Sequence, residues 1–186
     1  MTKGTIQGKR VVLRHLEPKD VTKEYVSWLN DPEVNQFLET RFVKSTVSTQ
    51  QKFVESFDNK RRFLWGIFDK KTDKHIGSIT LYEIHQVHKH ADYGYLIGDK
   101  EYWGTGAVQE AIALVFDFAF LKMGIHSIST GGYAPNVSSI FNYKKMGLRS
   151  EGIRREYLLL EGKFVDNVLY GITKDEWIAH RKKATY

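Results

Sequence analysis

Two glycines, Gly104 and Gly106, separate a β-type run at residues 91–97 from a stretch in which Val108, Ile112, Val115, Phe116, Ala119 and Phe120 recur at helical spacing. A helix with so broad an apolar face must be buried, and the strand before it must lie in the sheet that the helix covers. Only a tight turn joins the two, and glycine lets the backbone make it. The first amides of such a helix have no intrahelical acceptor, so the turn also presents N–H groups to an anion. A plain βα connection and a phosphate cradle are both compatible with the glycine pair alone. A nucleotide-triphosphatase loop needs Lys and Ser or Thr after its last glycine, whereas Gly106 is followed by Ala107 and Val108. A dinucleotide fingerprint needs three glycines near the first strand of a repeated βαβ unit, and this pair lies past the midpoint of the chain.

Around this unit residues 1–186 read as one domain, with neither an internal repeat nor a linker rich in Gly, Ser or Pro. Further β-type runs occur at residues 10–16, 63–68, 75–82, 126–130, 155–160 and 164–172, and the polar turn at 69–74 makes a hairpin of the second and third. Gly94 inside the 91–97 strand suggests a bulge or a close backbone approach there. Short helices are expected through Tyr25, Trp28 and Leu29, and again after Asp31 as cap with Pro32 in the first turn. Ser48 and Gln51 have the form of a capping box for a helix carrying Phe53, Val54 and Phe57 on one face. A helix over 136–145 stops at Gly147, and a last one, capped by Thr173, surrounds Trp177. This order argues for a mixed α/β sheet.

The chain contains no Cys, which removes disulfides, thiolate catalysis and Cys-ligated metal centres together. Its net charge of +6 is dispersed, apart from Lys60-Arg61-Arg62 and the 180–183 segment, which read as solvated turns and tails. Positive potential at this level suits a small polyanionic ligand as well as a nucleic acid. A nucleic-acid module would need a continuous basic strip with exposed aromatics, and Trp28, Trp65 and the phenylalanines instead lie in periodic apolar runs. Residues 1–9 are polar, and no apolar run approaches the ~18 residues that span a bilayer, so the expectation is a cytoplasmic protein with no membrane partner.

One strand beyond the glycine turn, Asn136, Ser139, Tyr143, Gly147 and Leu148 keep the spacing Asn-x-x-Ser-x-x-x-Tyr-x-x-x-Gly-Leu. Together with Trp103-Gly104-Thr105-Gly106-Ala107-Val108, this block resembles the GNAT superfamily of acyl-CoA-dependent N-acetyltransferases. Trp103 stands where that family usually has Gln or Arg, Val108 where it has Gly or Ala, and Leu148 where Phe is common. The resemblance implies an α/β (α+β) fold with a mixed, mostly antiparallel central sheet of about seven strands, flanked by helices and splayed in a V between the fourth and fifth. It implies acetyl-CoA as co-substrate, no metal, and direct acetyl transfer to the primary amine of a small molecule, with a homodimer as one possible state. Implied cofactor contacts are Leu96, Ile97 and Gly98, the turn residues Trp103, Gly104, Thr105, Gly106, Ala107 and Val108, and Asn136, Ser139 and Tyr143. Implied substrate contacts are Trp28, Arg41, Glu83 and His85.

Because an amine attacks the thioester directly, the chemistry needs a proton acceptor, a donor for the departing thiolate and N–H groups for the oxyanion, the last expected near residues 94–96. By its match to the motif Tyr143 is the implied acid; from the residue alone, a core tyrosine beside Ile140 is the better account, and the motif match reverses that order. Asn136 is likewise an adequate helix cap. Glu83 and Asp92 are the base candidates, against the alternatives that Asp92 faces solvent, Glu83 pairs with a lysine, and water takes the proton. His85, His88 and His90 lie between them at spacings too loose for a metal site.

The segments 81–84, 91–95 and 151–166 look like the branch of ribosomal-protein N-terminal and spermidine acetyltransferases, and 28–34 and 38–42 are similar to enzymes acetylating nucleotide-linked amino sugars. Net positive charge and Arg41 favour the amino sugar as expected acceptor, with a polyamine or protein N-terminus as the alternative. A CoA-binding sensor and a basic nucleic-acid module are the non-enzymatic alternatives.

Overall fold

The computed structural model describes residues 4–184; the ends of the expected 1–186 domain, Met1 to Lys3 of the polar opening segment among them, lie outside the described residues. Eight strands form one sheet: β1 (Ile6–Gln7), β2 (Val11–His15), β3 (Phe63–Asp69), β4 (His75–His85), β5 (His90–Ile97), β6 (Ser127–Tyr133), β7 (Arg149–Leu160) and β8 (Lys163–Thr173). Their spatial order is β1-β2-β3-β4-β5-β6-β8-β7, antiparallel throughout except for β5 and β6. The count exceeds the expected seven by β1, whose two residues pair with Leu13 and Val12 at the sheet edge. The helices are α1 (Lys23–Asn30), α2 (Pro32–Asn35), α3 (Val47–Glu55), α4 (Ala107–Asp117), α5 (Val137–Lys145) and α6 (Lys174–Arg181), with α4 continuing as a wider turn over Phe118–Lys122. Among the described residues, no helix is long and apolar enough to cross a membrane.

Strand β3 shows why helices cover both faces. Phe63, Trp65 and Ile67 enter the larger core with α4 and Trp177 of α6, while Leu64 and Phe68 enter a second core with Tyr25, Trp28 and Leu29 of α1 and Val54 of α3. Period-two alternation sends successive side chains to opposite faces, and here both faces are apolar. Asp31 caps α2 with Pro32 in its first turn, and Thr173 caps α6, as the sequence predicts. At α3 the cap differs: Thr46, held extended, closes a box with Thr49, while the expected Gln51 donates from its side chain to the Pro18 carbonyl.

The strands that matter for function are β5 and β6. They pair only where His90–Asp92 meet Ser127–Ser129. Beyond that point β5 stays on β4 through Ile97 and β6 stays on β8 through Tyr133, so the two diverge and the inner edge of β5 from Gly94 onward has no strand beside it. Thr130 Oγ1 donates to the Tyr93 carbonyl at 3.1 Å where the gap opens, and the Tyr143 ring packs against Tyr93 of β5 and Tyr170 of β8. The expected bulge at Gly94 is absent, since β5 keeps regular register there; the irregularity lies on β4 between Tyr82 and His85, where Glu83 has φ +49°.

Candidate active site

At the wide end of the splay the chain leaves β5, makes a 3-10 turn at Lys100–Tyr102 and enters α4 through Gly104 (φ +73°) and Gly106 (φ +90°). Both conformations are left-handed, which glycine adopts without the penalty of a Cβ. Gly106 is the N-cap and brings no side chain; the Ala107 amide donates to Thr105 Oγ1 at 3.4 Å, and the Val108 and Gln109 amides are left for an outside acceptor. Trp103 ties the turn to the strand end, its Nε1 donating to the Ile97 carbonyl at 2.9 Å. Val108 turns inward against the core. Gly98 holds a different constraint: a Cβ there would lie 2.1 Å from Trp28 Cδ2.

A guanidinium with no signature in the sequence sits beside this turn. Arg10 Nη1 donates to the Thr105 carbonyl at 2.7 Å and would lie 2.9 Å from a Cβ on Gly106. It is held there because Glu110, 4% exposed in the first turn of α4, accepts the backbone amides of Lys9 and Arg10. The turn therefore combines open amides, the positive end of an eleven-residue helix and one cation, a set of groups chemically suited to an anion.

Across the splay, beyond the end of β6 at Tyr133, α5 is capped by Asn136, whose Oδ1 accepts the Ser139 amide at 3.1 Å. Asn136 is thus a helix cap in this structure. Tyr143 is 5% exposed, and burial pushes its phenol up to about 12, with Tyr95 adding to the rise and the Thr130 and Ser139 hydroxyls opposing it. Such a phenol is protonated throughout the physiological range and can act as an acid. Its oxygen would lie 3.1 Å from a Cβ on Gly132, so glycine at that point of β6 lets the hydroxyl approach the strand.

Gly132 and Thr130 also line an open cavity of about 630 Å³ that lies over the paired start of β5 and along β6, walled by β7, β8 and the 37–39 segment. Three carboxylates line it, Glu39, Asp92 and Glu151, against the single guanidinium of Arg154. Asp92 is half-buried, and desolvation raises its carboxyl above the ordinary value; Glu83 adds to the rise while His90 and Arg154 oppose it. The cavity wall is stiffened by Tyr133, which donates to Glu39 Oε1 at 2.9 Å and accepts from Arg41 Nη2 at 3.0 Å.

The structure does not bring every expected site residue here. Trp28 is 7% exposed, packs on Tyr25 and His75 in the second core and does not line the acidic cavity. Arg41 is committed to Tyr133 and to the carbonyls of Gln36 and Leu159, and it lines a separate cavity of about 440 Å³. Glu83, in its left-handed conformation at the β4 irregularity, is exposed outside the cavity lining, although its charge reaches Asp92. His85 stacks on His88 and His90 at the exposed turn and accepts the His88 amide at Nδ1. Among the described residues, no group of three or more His, Cys, Asp or Glu is arranged to hold a metal ion.

A profile of the acetyltransferase (GNAT) domain matches residues 10–149. The chain is 30% identical over 172 residues to the uncharacterized N-acetyltransferase YoaA of Bacillus subtilis, covering 91% of this chain and 96% of that one. It is also 30% identical over 120 residues to the [ribosomal protein uS5]-alanine N-acetyltransferase of Escherichia coli, covering 64% of this chain and 61% of that enzyme. The spermidine N-acetyltransferase of Vibrio cholerae, solved in complex with CoA and spermine, superposes with a TM-score of 0.80 at 19% identity, covering 92% of this chain and 99% of that one. With the domain profile spanning most of the chain and a relative matched along almost its whole length, the chain belongs to the GNAT acetyltransferase family and is an N-acetyltransferase.

Proposed function

We propose that the protein transfers the acetyl group of acetyl-CoA to a cationic primary amine held in the acidic cavity along β6, next to the point where β5 and β6 part. The observation that carries this reading is the charge of that cavity, three carboxylates against one arginine. Such a lining attracts an ammonium group and opposes a phosphate. The nucleotide-linked amino sugar expected from net charge and Arg41 is therefore the weaker reading, because Arg41 is engaged elsewhere and the cavity has the wrong sign. A polyamine or a polypeptide N-terminus fits the charge, and the ribosomal-protein and spermidine acetyltransferases act on acceptors of those two kinds.

Acetyl-CoA supplies an activated carbonyl on a good leaving group. The open amides at the start of α4 and Arg10 would hold its diphosphate. The open edge of β5 offers the N–H and C=O of Tyr95 and the N–H of Ile97 to the amides of the pantetheine arm and to the charge that grows on the carbonyl oxygen, while Leu96 turns its own backbone groups to Ser78 of β4 and the Ile97 carbonyl accepts from Trp103. Asp92 takes the amine's proton directly or through water, and its raised pKa brings it nearer to a working base. Tyr143 gives its proton to the thiolate.

The test is a free-thiol release assay with acetyl-CoA against polyamines, peptides with free N-termini, aminoglycosides and amino-sugar nucleotides. Cationic amines should be turned over at the highest kcat/KM; a preference for the amino-sugar nucleotide would reverse the assignment. Acetyl-CoA binding without thiol release for any amine would point to a sensor. Steeply salt-dependent binding of mixed RNA would instead support the nucleic-acid reading.

A further inference from the structure

A row of polar side chains crosses the interior from the first turn of α4 to α5. Gln109 Nε2 donates to Asn142 Oδ1 at 2.6 Å, Asn142 Nδ2 donates to Tyr95 Oη at 2.9 Å, and Tyr95 Oη donates to Ser139 Oγ at 3.3 Å. Every bond runs in the same direction. A hydroxyl that accepts from one side keeps its own proton to give on another, and Ser139 lies one turn before Tyr143, at i and i+4 on the same face of α5. Gln109 and Asn142 are buried, and Gln109 Oε1 has no partner at all. Apolar side chains would fill the same space without an orphaned acceptor, so the row is not explained by packing.

The chemistry gives the row a use. As the acetyl C–N bond forms, the C–S bond breaks and its electron pair leaves on sulfur, which takes the phenolic proton. The proton of the amine leaves by Asp92 or water, and the phenolate regains its proton from solvent. While it lasts, the phenolate is a buried anion, which burial of Tyr143 strongly disfavours. A hydroxyl donating to that oxygen offsets the cost.

We infer that Gln109, Asn142 and Tyr95 are positioning residues that aim the Ser139 proton at Tyr143 Oη and so stabilise the phenolate left by proton transfer. The inference rests on Tyr143 being the acid of the proposed reaction. Tyr95→Phe removes one oxygen atom, and Asn142→Asp keeps the shape but takes away the donor to Tyr95, which then turns its own proton toward the carboxylate. Both should lower kcat about tenfold, the worth of one hydrogen bond to a charged group. The KM for acetyl-CoA should stay within about twofold, because the row contacts no part of the reaction that is bound equally before and after. In a Tyr143→Phe background, Tyr95→Phe should have no further effect on kcat.

Steady-state kinetics of these variants, with thermal unfolding to confirm that each is folded, decides the matter. If Tyr143→Phe is slow but Tyr95→Phe and Asn142→Asp keep full kcat, the row is overturned and the acid assignment stands. If Tyr95→Phe costs the same factor in both backgrounds, or raises KM alone, it acts elsewhere and the inference fails. Full activity in Tyr143→Phe overturns the acid assignment and the row with it. Should Tyr95→Phe unfold, Asn142→Asp gives the same reading.

Discussion

Replacing Gly106 by alanine separates the two uses of the glycine turn. At φ +90° an alanine is strained by roughly 1–2 kcal/mol, which thermal unfolding will register. The added Cβ would also stand 2.9 Å from Arg10 Nη1, in the space in front of the α4 amides, and would push the guanidinium away from the Thr105 carbonyl. Losing one charge-assisted bond to a diphosphate costs roughly 1.5–3 kcal/mol, or about 10- to 150-fold in affinity for CoA. Gly104→Ala is the control: φ is +73° and a Cβ there would meet nothing within 4 Å, so it carries the strain without the displacement. Titration calorimetry with CoA should show the large loss at Gly106 and a change within about threefold at Gly104. Equal affinities for Gly106→Ala and the parent protein, or equal losses at both glycines, would refute the placement of the diphosphate.

Asp92→Asn should abolish the acidic limb of kcat/KM. Burial raises the Asp92 pKa above 3.8, so the basic form appears only as pH rises through that raised value, and the parent limb should lie above 3.8; an identical limb in the variant would acquit Asp92. Because ionisation of a carboxyl with a raised folded pKa opposes folding, the variant should be no less stable at neutral pH. Arg10→Ala should weaken CoA binding about tenfold with little change in thermal stability, and the difference should shrink at high salt. Unchanged affinity would leave Arg10 as a support for the turn alone.

What was legible in the sequence is what local periodicity and spacing encode. The strand, glycine turn and buried α4, the Asp31 and Thr173 caps, and the Asn136-to-Leu148 spacing all involve neighbours within a turn or two. Strand β1 escaped because two residues have no period, and Thr46 with Thr49 competes with Ser48 and Gln51 for the same cap pattern, a contest settled by where the backbone stays extended. Trp28 looked available because aromatic spacing does not say which of two faces is covered; β3, apolar on both sides, supplies the second core that takes it. Arg10 reaches Thr105 across the fold, and the cavity charge is a sum over β5, β7 and the 37–39 segment, which no window of sequence contains. Overall net charge therefore pointed to a phosphate-bearing acceptor while the cavity itself is acidic.

The most direct measurement is a crystal structure of the protein with acetyl-CoA bound. The diphosphate should rest on the first amides of α4 beside Arg10, with the thioester sulfur within about 3.5 Å of Tyr143 Oη. A diphosphate seated on any other face, or a sulfur out of reach of that hydroxyl, would contradict the account.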